Sequence, residues 1–110
     1  MNLLFICSRN QWRSPTAETI WRRKPGYNVR SAGVAKSAKR KVQEADISWS
    51  DLIFAMEREH KQKLKMKFPH CLDLANLPVL DIPDEYGFMD PDLVDVIETS
   101  VAAILEGSKN

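Results

Sequence analysis

Leu3-Leu4-Phe5-Ile6-Cys7 is an uninterrupted apolar run that stops at a cysteine, and the polar stretch Ser8-Arg9-Asn10-Gln11-Trp12-Arg13-Ser14-Pro15 follows it. A short apolar run of this kind suits a strand buried on both faces, as in a parallel sheet. Pro15-Thr16-Ala17-Glu18 reads as the first turn of a helix, because proline at the first helical position gives up an N–H that has no partner there; Ser14 is then the expected N-cap. Strand, loop and helix start in this order leave few options. The loop must curl onto a helix N-terminus, where unpaired N–H groups and roughly half a positive charge from the aligned peptides make a cradle for an anion.

Within that cradle the residue types divide the work. N–H donors, the dipole and a nearby guanidinium all favour the thiolate of a cysteine at the mouth, which makes Cys7 the candidate nucleophile. Arg13, six residues on, can fold back and offer a planar fork to two oxygens of a phosphate-like group. Ser14 can donate a hydrogen bond to the Cys7 sulfur, and Asn10 tolerates the left-handed backbone that a loop with inward N–H groups needs. The oxyanion-contacting set is thus Ser8, Arg9, Asn10, Gln11, Trp12, Arg13 and Ser14.

The 110 residues, 44% of them hydrophobic and 28% charged, are expected to form one domain over 1–110 with a single core. A formal charge of +1 creates no overall field for nucleic acid or a membrane surface, and the local run Lys36-Ser37-Ala38-Lys39-Arg40-Lys41 is read as a solvated loop. Two distant cysteines, no apolar run of membrane-spanning length and a first strand starting within three residues of Met1 lead to the expectation of a cytoplasmic protein with free thiols.

Further along, Ala17, Ile20 and Trp21 share a helix face that ends at Lys24-Pro25-Gly26, and Tyr27 to Gly33 reads as a second strand with Tyr27, Val29 and Ser31 on one side. A helical turn from Val42 to Trp49, a buried strand Leu52 to Met56 and a lysine-rich helix Glu57 to Phe68 come next, with Leu64 and Phe68 as the buried face. His60 and His70 are read as surface residues, since neither lies at metal-ligand spacing from a Cys or carboxylate cluster. Pro78 to Ile82 is the fourth strand candidate. The last helix is signalled by Asp90 as N-cap, Pro91 at its first position, an apolar face from Leu93 to Leu105 and Gly107 just beyond its end. The expected fold is an α/β three-layer sandwich: a four-stranded parallel sheet in the order 2-1-3-4 with helices on both faces and Cys7 at the carboxyl end of a strand near the switch point.

Cys7-x5-Arg13-Ser14, with Asn10, Pro15, Ala17 and Glu18, resembles the signature loop of the low-molecular-weight protein tyrosine phosphatases. The likeness extends to Ser31-Ala32-Gly33, to Asp51-Leu52-Ile53 leading to Met56, and to Ile82-Pro83-Asp84-Glu85-Tyr86. The segment between Gly33 and Asp51 is shorter than in most of the family, which is similar to the trimmed bacterial-type branch; Arg9 stands where the family commonly has glycine, and Trp12 where some members carry a second cysteine. The resemblance implies hydrolysis of phosphate monoesters through a phosphocysteine, with no metal or other cofactor. The substrate would be a phosphotyrosine protein or small aryl phosphate, and phosphate or vanadate would inhibit. It also implies Asp84 as general acid, with Asp81 three residues earlier as the competing carboxylate, and Trp12 and Tyr86 as walls for an aromatic substrate. Two alternatives stand beside this: a weakly active or inactive oxyanion-binding regulatory module, favoured by the short substrate loop and Arg9, and an arsenate reductase, for which Cys71 is the one further thiol available.

Overall fold

Residues 1–108 are described by a computed structural model. Three parallel strands form the sheet: β1 (Asn2–Cys7) lies in the centre, with β2 (Asn28–Gly33) on one side and β3 (Leu52–Ala55) on the other. The register pairs Cys7 with Gly33 and Ile6 with Ala55, so all three strands end together at one rim of the sheet. Helix α1 (Arg13–Arg22) links β1 to β2, α2 (Glu44–Trp49) links β2 to β3, and α3 (Arg58–Lys67) and α4 (Pro91–Ser108) follow, with a short 3₁₀ turn at Leu74–Asn76 between them.

Alternation along β1 shows why the strand had to be apolar throughout. Leu3, Phe5 and Cys7 face one side, against Ala17, Ile20 and Trp21 of α1 and Leu93, Ile97, Val101 and Leu105 of α4. Leu4 and Ile6 face the other, against Ile47 of α2, Leu64 of α3 and Leu77. Each side chain of Leu3 to Ile6 is fully buried, which at about 2 kcal/mol per large apolar residue anchors both outer layers to one strand. β2 and β3 are added on opposite sides of β1, so the order of connection reverses there and Cys7 sits at the topological switch point, where open parallel sheets leave a crevice.

Three details depart from the sequence expectation. The fourth strand is reduced to an irregular segment. Pro78 to Ile82 runs parallel to β3, with Ala55 N–H donating to Pro78 O (3.0 Å), Leu80 N–H to Ala55 O (2.9 Å) and Ile82 N–H to Met56 O (2.8 Å). Prolines at 78 and 83 and a left-handed Asp81 (φ 56°) keep it from becoming a regular strand, so the sheet order is 2-1-3 with the segment where strand 4 was expected. Helix α1 begins at Arg13, so Trp12 occupies the N-cap position and Ser14 lies inside the first turn, its hydroxyl committed elsewhere. Gly107 lies within α4, whose start does match: Asp92 N–H donates to Asp90 Oδ1 at 2.9 Å.

Candidate functional site

A cavity of about 310 Å³ opens at the carboxyl end of β1, lined by Cys7 and Ser8, by Arg9, Gln11 and Trp12 of the loop, and by Arg13 and Asp84. Asn10 holds the loop's turn with φ 55°, in the left-handed region that asparagine tolerates, and Arg9 carries no such strain. Behind the loop the Asn10 side chain donates to Ser14 Oγ and to Ser31 Oγ, both at 2.9 Å, and the Ser31 hydroxyl donates to Glu18 Oε1 at 2.8 Å. Ser14 Oγ is therefore already an acceptor on one side, which frees its hydrogen for Cys7 Sγ, 2.9 Å away.

The loop approaches β2 so closely that only glycine fits at its end. A Cβ on Gly33 would lie 2.5 Å from Ser8 O and 2.7 Å from Ala38 Cβ. The closeness is used: Val34 N–H donates to Cys7 O (3.1 Å) and Ala35 N–H to Ser8 O (2.9 Å), fixing the loop's main chain.

Arg13 is buried, with 3% of its side chain exposed. One terminal nitrogen, Nη1, bonds Glu57 and also Ile82 O (2.7 Å), while Nε lies 3.8 Å from Asp84 Oδ1. Asp84 itself is more than half exposed at the cavity mouth. Asp81 does not line the cavity, and Tyr86 lies half-buried against the core rather than along the cavity wall. Asn10 and Ser14 stand behind the lining, and Trp12 is an exposed wall.

His60 was expected on the surface; it is fully buried. Its Nδ1 accepts from Glu57 N–H (3.0 Å) and so carries a lone pair, leaving Nε2–H to donate to Ser8 Oγ at 2.9 Å. Burial, and then the Arg13 charge, push its pKa down from 6.5 to about 4, against the opposing pull of Glu57 and Asp84, so the ring is neutral at pH 7. The Ser8 hydroxyl, receiving from His60, has its own proton free for the cavity. His60 and Leu64 are four residues apart on the buried stripe of α3, and Glu57-x-x-His60 is the capping box that starts it; these two patterns were the available signals. His70 is exposed, as expected.

Glu57, Glu59 and His60 offer ligand atoms within 4.8 Å of one another, a spacing that could suit a metal ion. Yet Arg13 neutralises Glu57, and both ring nitrogens of His60 are spent, so the donor set is closed. Cys71 is half-buried on the opposite face of the sheet from Cys7, and both thiols are free. The basic run is only partly solvated, because Arg40 is pinned to the buried carboxylate of Asp46 and to Ser31 O (2.8 Å).

Compared with solved structures, the chain aligns over 98% of its length with 94% of the YwlE arginine phosphatase from Geobacillus stearothermophilus, at a TM-score of 0.76 and 22% identity. A low-molecular-weight protein tyrosine phosphatase from Bacillus subtilis aligns over 100% of both chains, at 0.76 and 22%. Vibrio vulnificus Wzb, in complex with benzylphosphonate, gives 0.75 and 24%, over 96% of this chain and 97% of that one. The fold is that of the low-molecular-weight protein tyrosine phosphatases. No protein-family model and no curated protein sequence matches the chain.

Proposed function

We propose that the protein is a cysteine-dependent phosphate monoesterase of the tyrosine phosphatase type. The observation that carries this reading is the convergence of Cys7, Arg13 and Asp84 on one cavity at the start of α1, with the Ser14 hydroxyl 2.9 Å from the sulfur. The neighbours' described activities, on phosphoarginine in one case and phosphotyrosine in another, support phosphoryl chemistry at such a site.

In the proposed reaction the Cys7 thiolate attacks phosphorus in line, forming the S–P bond as the P–O bond to the leaving group breaks. The leaving oxygen takes the electron pair together with a proton from Asp84. The Asp84 carboxylate then removes a proton from water, which attacks phosphorus; the S–P bond breaks and its electron pair returns to sulfur, where Ser14 donates to it. Loop N–H groups and the Ser8 hydroxyl meet the equatorial oxygens. Arg13 spends both Nη1 hydrogens on Glu57 and Ile82, so Nε and Nη2 remain as the fork toward the anion.

Hydrolysis of an aryl phosphate by the wild-type protein and by Cys7→Ser tests this. Turnover should vanish in the variant, by at least about a thousandfold, while vanadate or phosphate still raises its melting temperature. A fall well short of that in Cys7→Ser excludes Cys7 as the nucleophile. Phosphate binding without turnover in the wild type leaves an oxyanion-binding module in its place.

A further inference from the structure

Two cations at the site have no task in the reaction above. Arg9 lines both the catalytic cavity and a second one of about 370 Å³, which Gln11, Ser37 and Lys39 also border. Arg13, Arg22, Arg30 and Arg40 each have an acidic partner within 4.0 Å; among the described residues Arg9 and Lys39 have none, as is also true of Arg23, Arg58 and the other lysines, but only these two border the cavities next to Cys7. Both are exposed, yet their backbones are tied together: Lys39 N–H donates to Arg9 O at 3.0 Å, so the two side chains leave from fixed positions on adjoining segments. A third cavity, of about 450 Å³, carries the exposed aromatics Trp12 and Phe88, and all three cavities share Gln11. A small phosphoester fills one of these spaces; a peptide fills more than one.

Resting on the phosphatase reading, we infer that the preferred substrate is a phosphorylated peptide segment with an acidic residue next to the phosphorylated one, its carboxylate seated between Arg9 and Lys39. Consecutive residues of an extended chain lie about 3.8 Å apart, so a residue beside the one in the cradle reaches an adjoining cavity that shares two lining residues with it. A neutral neighbour would leave the two cations as they stand in the free protein. Their exposure limits the gain to what solvated ion pairs supply, about three- to tenfold, and makes it sensitive to salt.

Two phosphonate peptides of equal length, one with Glu and one with Gln beside a non-hydrolysable phosphotyrosine mimic, provide the test by calorimetry. At low ionic strength the Glu peptide should bind wild-type protein about fivefold tighter. The gap should close near 1 M salt, where the Debye length is about 3 Å, and reverse in Lys39→Glu, with Lys39→Ala between the two. Equal affinities in the wild type overturn the inference, and so does a preference that survives in Lys39→Glu. A small bisphosphorylated ester that binds better than the Glu peptide overturns the peptide assignment. The corresponding phosphopeptides separate the two readings: if the Glu preference is found but neither phosphopeptide is hydrolysed, the phosphatase reading falls and the subsite stands. If neither phosphonate binds, both fall.

Discussion

Arg13 is the residue on which the site's charges converge. A guanidinium with 3% exposure would be costly unpaired, and it is compensated by Glu57 behind it, the Ile82 carbonyl beside it and Asp84 toward the cavity. The same arrangement separates the two aspartates of the loop. Asp84 lines the cavity, whereas Asp81 sits in left-handed backbone away from it. In the proposed reaction, then, Asp84→Asn should slow aryl esters with poor leaving groups by about a hundred- to ten-thousandfold and activated nitrophenyl esters far less. Asp81→Asn should show no such dependence on the leaving group. A plot of rate against leaving-group pKa for both variants checks this; a steeper slope for Asp81→Asn would transfer the acid role. That Cys7 and Arg13 would share one cavity was legible from their spacing in the loop, and that Asp84 would join them only from the family resemblance. Glu57 and His60 were not, since a glutamate and a histidine in a charged helix look solvated until the fold shows which stripe faces inward.

Among the elements, the loop between β1 and α1 is defined less by its own residues than by what β2 permits it to approach. Gly33→Ala would press a methyl group onto Ser8 O and Ala38, and neither backbone nor small side chain can yield without moving the loop. A loss of about 2 kcal/mol in urea unfolding is expected, together with a fall in aryl phosphatase rate beyond what lost folded protein explains. Gly107→Ala serves as the contrast: its Cβ meets nothing within 4 Å inside α4, and the change should stabilise by a few tenths of a kcal/mol. The elements themselves were largely readable from apolar runs and caps, as with the buried β1 and the Asp90-Pro91 start of α4. What the sequence hid was where regularity stops: Pro78 to Ile82 has a strand's composition, and its prolines warn against a regular strand, but the left-handed Asp81 and the approach of Ile82 O to Arg13 emerge only in the fold.

For the molecule as a whole, the buried neutral His60 ties folding to pH. Its pKa is about 4 in the folded protein against 6.5 when exposed, so between those values the unfolded chain binds the extra proton. Stability is complete above about pH 6.5 and declines as pH falls toward 4. The full shift corresponds to roughly 3 kcal/mol. Urea titrations from pH 7.5 to 4.5 should show this decline in the wild type and a flatter profile in His60→Gln; parallel profiles would refute the linkage. The irregular segment beside β3 has a consequence of another kind. Pro78 and Pro83 offer no N–H, and those of Leu80 and Ile82 are already turned inward to Ala55 and Met56. On that flank the sheet presents a broken row of donors to anything outside, so a foreign strand has nothing continuous to pair with. The bend that brings the Ile82 carbonyl to Arg13 thus also protects the flank against runaway self-association.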